Sequence, residues 1–106
     1  MTEGDIKALA QELVALDVAA GARWAVEPAL GAVRAVGRGR PEPRDGVAER
    51  AARAELYQVA AWIAFDAERH GVSRRLHLRA LELARSDPAE GPDAAVEPLI
   101  LAVLAM

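Results

Sequence analysis

Asp66 and His70 stand four residues apart in the stretch AAWIAFDAERHG, residues 60–71. On a continuous helix that spacing brings a carboxylate and an imidazole onto one face, the arrangement from which two-point metal sites and acid/base pairs are built. Glu68 and His77 are the nearby groups able to enlarge such a site. Glu68, two residues from Asp66, points off that face. His77 lies across a turn and meets His70 only where two helices pack closely. Zinc sites draw on three or four protein ligands, and the chain has two histidines and no cysteine. His70 also has a structural explanation. It precedes Gly71 in the last turn expected of a helix, where a cation suits the negative end of the dipole and glycine takes the left-handed position beyond the end. A small helical metal protein or enzyme centred on Asp66, His70 and His77 is therefore the alternative reading. The preferred one involves no metal, no cofactor and no catalytic group.

Other reactive arrangements fare no better. Ser73 and Ser86 are the only serines, and both fall where helix caps or ends belong. GRGR, residues 37–40, has neither the spacing nor the strand–helix setting of a phosphate-binding loop. Glu49, Glu55, Asp66 and Glu68 sit in one helical segment. Glu55 and Asp66 share a face but are about 16 Å apart along the axis, too far to act as a pair. They read as a solvated face, as do Arg74, Arg75 and Arg79 with Glu82 among them.

Composition narrows the class. A chain of 106 residues has room for a single domain spanning 1–106, burying ~65% of its unfolded surface. Its net charge of −3 and sequence pI near 5.4 argue against direct nucleic-acid binding, which needs clustered cations. Arginines concentrate in residues 34–53, but Glu42, Asp45 and Glu49 lie among them, so the segment reads as solvated loop and helix start. Alanine makes up roughly a quarter of the chain, far above ordinary usage, and it is the best helix former. The start, MTEGDIKALAQ, has no basic-then-apolar leader. PLILAVLAM, residues 98–106, is far short of the ~20 residues a membrane span needs. These features predict an all-α cytoplasmic protein without membrane attachment.

Five helices are expected. Ile6, Leu9, Leu13, Leu16 and Ala20 form the stripe of the first, opened by Asp5 or Thr2 and closed by Gly21. The second runs from Val26 or Pro28 to Val36, followed by a flexible loop over about 37–46. The third spans Val47 to Arg69 and carries two apolar rows: Leu56, Val59 and Ile63, then Tyr57, Ala61, Ala64 and Phe65. A helix apolar on two sides must be sandwiched, so it is the central one. The fourth runs from Val72 to Arg85, capped by Ser73, and the fifth starts near Ala94. Val96, Leu99, Ile100, Val103 and Leu104 give that last helix an apolar stripe, from which Leu99, Ile100, Val103 and Leu104 are expected to form a homodimer interface unless the natural chain continues.

Residues 55–85, ELYQVAAWIAFDAERHGVSRRLHLRALELAR, resemble a tetratricopeptide helix pair. Ala61, Ser73 and Ala80 occupy its small positions and His77 the large one between them. Taken with DIKALAQELVALD, its Gly-containing turn and the short helix after it, residues 5–104 resemble the C-terminal regulatory region of actinobacterial regulators of tetratricopeptide type. Those proteins usually carry an N-terminal helix-turn-helix domain of the xenobiotic-response type. No such segment precedes Asp5, so the resemblance implies a short paralogue or a fragment and no DNA binding by this chain. It also implies antiparallel helical hairpins and a groove lined by Glu55, Gln58, Trp62, Phe65 and Asp66. That groove would bind a protein partner or a small regulatory ligand, in a role in transcription. The asparagine and lysine clamp that some such repeats use for peptide C-termini is absent.

Overall fold

The computed structural model describes residues 2–38 and 46–85, and all four helices among them are α-helical with no strand. Helix α1 (Glu3–Ala20) is opened by Thr2, not Asp5. The Asp5 backbone N–H donates to the Thr2 hydroxyl at 3.2 Å, and the Thr2 N–H donates to the Asp5 carboxylate at 2.9 Å. This reciprocal box satisfies two donors that the first turn leaves open. Hydrogen bonding to Thr2, chiefly through its backbone N–H, holds the exposed Asp5 carboxyl below its ordinary value.

Gly21 ends α1 at φ 90°, ψ 162°, and its N–H donates to the Asp17 carbonyl at 2.9 Å. A side chain is strained at that φ, so glycine permits an abrupt reversal. Helix α2 (Ala22–Arg38) begins at once, earlier than Val26 or Pro28, and takes Gly37 and Arg38 from the expected loop. Pro28 therefore lies inside the helix and leaves the Trp24 carbonyl without its usual donor. Burial outweighs this loss: Ala25, Val26 and Ala29 are all buried in the core.

Helix α3 (Val47–Asp66) packs against each of the other three, whereas α4 (His70–Ala84) packs, among these helices, only on α3. Arg53 reaches the Val36 carbonyl and Arg69 reaches Glu27, so α2 and α3 run antiparallel. Ser73 meets Ala61 and His70 meets Phe65, so α4 is antiparallel to α3 as well. Ala10, Gln11 and Val14 lie beside Glu55 and Val59. The chain reverses at Gly21 and α1 packs back on α2, which is antiparallel to α3, so α1 runs parallel to α3. Ile6, Leu13, Val26, Val36, Leu56 and Ile63 fill the core, and Ala52, Ala60, Ala61 and Ala64 let neighbours approach α3 closely.

The end of α3 departs from the expected boundary. The chain leaves the helix after Asp66, with the Arg69 N–H on the Ala64 carbonyl at 2.8 Å and the Glu68 N–H on the Phe65 carbonyl at 3.0 Å. This is a Schellman closure, and Glu68, at φ 65°, holds the left-handed position expected of Gly71. Gly71 instead lies in the first turn of α4, which starts at His70 rather than Val72. Ser73 is not its cap; the N-cap position is Arg69, with no side-chain bond. The fifth helix near Ala94, the loop residues 39–45, and the interface residues Leu99, Ile100, Val103 and Leu104 lie outside the described residues.

Candidate recognition face on helices α1 and α3

The turn at residues 67–69 decides the fate of the Asp66/His70 pair. The two residues belong to different helices, so the one-face spacing of a continuous helix does not apply to them. The imidazole of His70 stacks on Phe65 with centroids 4.9 Å apart. It stands at the start of α4, not the end of α3, so the favourable cation-at-C-terminus explanation falls with the boundary. Among the described residues, no three side chains of metal-ligating type converge.

His77 is a core residue, 1% exposed. Its Nδ1 lies 3.0 Å from the Ser73 carbonyl and 3.4 Å from the Ser73 hydroxyl. That hydroxyl spends its proton on the Ala61 carbonyl at 2.8 Å. Both neighbours of Nδ1 are therefore acceptors, which assigns the proton to Nδ1 and leaves Nε2 as a bare lone pair. Nε2 is buried with no partner, and burial holds the imidazole below its ordinary value. The Trp62 ring meets His77 edge-on at 6.0 Å.

Helix α3 is covered around most of its circumference, and its uncovered stripe is Glu55, Val59, Trp62 and Asp66. Glu55 and Asp66 are exposed, Trp62 is 38% exposed and Val59 half-buried. Phe65, at the edge of the stripe, is as open as Trp62 and touches it edge-on at 6.5 Å. Gln58, expected on this face, is buried instead. It lies three residues before Ala61, whose carbonyl meets Ser73 of α4, and so only about 60° around the axis from that contact.

The face does not stop at α3. Lys7, Gln11, Val14 and Val18 run along the adjoining side of α1, with Val14 48% and Val18 82% exposed. Between the two helices lies an open groove of about 190 Å³, lined by Ala10, Gln11, Val14, Glu55 and Val59. Lys7 is bound to Glu3 at 2.8 Å, which, with the nearby Glu55 charge, raises its pKa. The α1 half of the face lies outside the site residues expected on α3. Its signal was present in Val14 and Val18, two large apolar residues off the stripe that packs α1.

Arg53, assigned by its neighbours to a solvated segment, is buried. Its Nη1 donates to the Val36 carbonyl at 3.0 Å, and its Nη2 pairs with Glu49 at 3.3 Å. It thereby satisfies a carbonyl in the last turn of α2. On α4, Arg79 pairs with Glu82 at 3.0 Å, and both are exposed as expected. No family model, curated protein or solved structure matches this chain. No helix among the described residues is long and apolar enough to cross a membrane.

Proposed function

We propose that the chain is a non-catalytic regulatory binding module of tetratricopeptide-like build, which recognises a protein partner through the parallel α1–α3 face, with a role in transcriptional control. The observation that carries this is the uncovered stripe of α3, where an indole stands between two carboxylates on a helix otherwise enclosed. Aromatic residues exposed at the centre of a patch are the usual anchors of protein interfaces. The burial of Ala61, Ser73, His77 and Ala80 where α3 meets α4 supports the repeat-like reading, because those are the positions the resemblance assigns to close packing.

The groove also bears on the kind of ligand. Small-molecule pockets enclose roughly 300–1,000 Å³ and cover most of their ligand. An open groove of about 190 Å³ suits an inserted side chain of a polypeptide better than a whole metabolite.

The test is selection of peptides from a displayed random library on the full chain, followed by mapping of backbone amide shifts. Peptides that perturb Gln11, Val14, Glu55, Val59 and Trp62, and whose binding weakens by ~2 kcal/mol in Trp62→Ala, support the assignment. Binders that map only to other surfaces, or a Trp62→Ala chain that is unfolded, overturn it.

A further inference from the structure

The outer side of α4 carries a stripe that complements α3. Glu55, Val59, Trp62 and Asp66 follow one another at steps of four, three and four. Arg74, Leu78, Leu81 and Arg85 do the same on α4. Read antiparallel, acid–apolar–apolar–acid on α3 faces Arg–Leu–Leu–Arg on α4: Asp66 with Arg74, Trp62 with Leu78, Val59 with Leu81, Glu55 with Arg85. Leu78 is 45% exposed, Arg74 and Arg85 are exposed, and Leu81 is half-buried. Asp66, Glu55 and Arg74 make no ion pair among the described residues, although each is exposed on its helix.

Both stripes open to one side of the hairpin. Counting about 100° per residue, each lies roughly 110–130° around its helix, in the direction of increasing residue number, from the side that meets the other helix. In antiparallel helices, equal turns of that kind point the same way. The edge contact between Trp62 and His77 lies on this side and sets Trp62 level with the turn that holds Leu78.

We propose that this face pairs with the same face of a second copy across a two-fold axis running along the helices, α3 of each subunit lying antiparallel on α4 of the other. Such an operator preserves height along the helices and exchanges the two stripes. Trp62 then comes over Leu78 of the partner subunit, Asp66 over the partner's Arg74, and the same two contacts recur by symmetry. Apolar centre and charged rim is the anatomy of a specific interface. The inference rests on the reading of the Trp62 face as a recognition surface and names the occupant of its α3–α4 side.

Sedimentation equilibrium of the full chain across the micromolar range tests it, using Asp66→Arg, Arg74→Asp and the double variant. The expected result is a wild-type dimer and at least about tenfold weaker association in each single variant, where like charges meet twice. Recovery is expected in the double variant and in an equimolar mixture of the two singles. Circular dichroism of each variant shows whether the fold is kept, and recovery in the double variant separates a charge effect from unfolding. A wild-type monomer, a dimer indifferent to Asp66→Arg, or failure of the double variant to recover overturns the proposal. Peptide binding at Gln11 and Val14 of α1, which lie outside both stripes, is read separately, so a monomer that still binds peptides there sinks this inference and leaves the binding function standing.

Discussion

The Ser73 hydroxyl on α4 donates to the Ala61 carbonyl on α3 at 2.8 Å, inside a contact where both residues are buried. A side chain expected to cap its own helix instead ties two helices together. Serine is small enough for the close approach, and its bond reaches a backbone that a larger residue would push away. Ser73→Ala should cost about 1 kcal/mol, the usual net worth of one buried neutral hydrogen bond, in urea denaturation at neutral pH. A loss below a few tenths would mean that the Ala61 carbonyl gains nothing from a second donor. Ser73→Leu should cost several times more by forcing the helices apart.

The neutral His77 imidazole makes stability depend on pH. Its folded pKa lies below its ordinary value of 6.5, so above that pH neither state is protonated and the stability is intact. As pH falls below 6.5, the unfolded chain binds a proton that the folded chain refuses. Stability therefore declines from 6.5 down to the folded pKa and then levels for this group. His77→Phe should flatten that limb, seen as similar urea midpoints at pH 7.5 and pH 5.5 where the wild type differs (about 6.5 being the turning point). An unchanged acid limb would assign the effect elsewhere. Asp5 adds a second decline at lower pH, because its depressed carboxyl stabilises the fold above its unfolded value and loses that contribution on protonation.

Two backbone positions should respond in opposite directions. Gly21→Ala meets no neighbouring atom within 4 Å, yet its φ of 90° is one that L side chains rarely adopt. The cost should be about 1–3 kcal/mol from backbone strain alone. Glu68→Gly relieves the left-handed φ of 65° and should stabilise the chain by about 1 kcal/mol. Thermal midpoints of the two variants, measured against wild type, check both signs.

Arg53 is the buried charge with the most at stake. Arg53→Met keeps much of the apolar stem but removes the bond to the Val36 carbonyl and the partner of Glu49. A loss of about 2 kcal/mol is expected, within the range for a charged hydrogen bond. Adding Glu49→Gln should recover part of it, because the carboxylate is left without its cation. A near-neutral Arg53→Met would mean that the pair only offsets its own desolvation.

The central helix shows how far local pattern reached. Two apolar rows on residues 47–66 sufficed to identify a sandwiched helix, because a segment needing cover on two sides must have neighbours there. The shared face of Glu55 and Asp66 was legible from their eleven-residue spacing, whereas Trp62 joined them only through the tetratricopeptide resemblance. The burial of Gln58 was not legible, since it sits at the margin and only the position of α4 decides whether it is covered. The α2 start was missed because Pro28 is a strong local signal, and local signals carry no information about what Ala25 and Val26 will pack against. The end of α3 was missed for a similar reason. Glycine is the usual left-handed residue, so Gly71 drew the boundary, while the chain turned three residues earlier on Glu68.

The amino-acid sequence by itself determined that this protein is helical, which helix is central and that Glu55 and Asp66 share a face. Those properties follow from alanine content, periodicity and the absence of strand-forming patterns, all of which act within a few turns of chain. Only the structure decided that Asp66 and His70 fall on different helices, that Ser73 and His77 are interior, that Arg53 closes the end of α2, and that α1 joins α3 in one face. The last three depend on contacts between residues distant in sequence, where burial free energy outweighs a local cap or turn preference of about 1 kcal/mol.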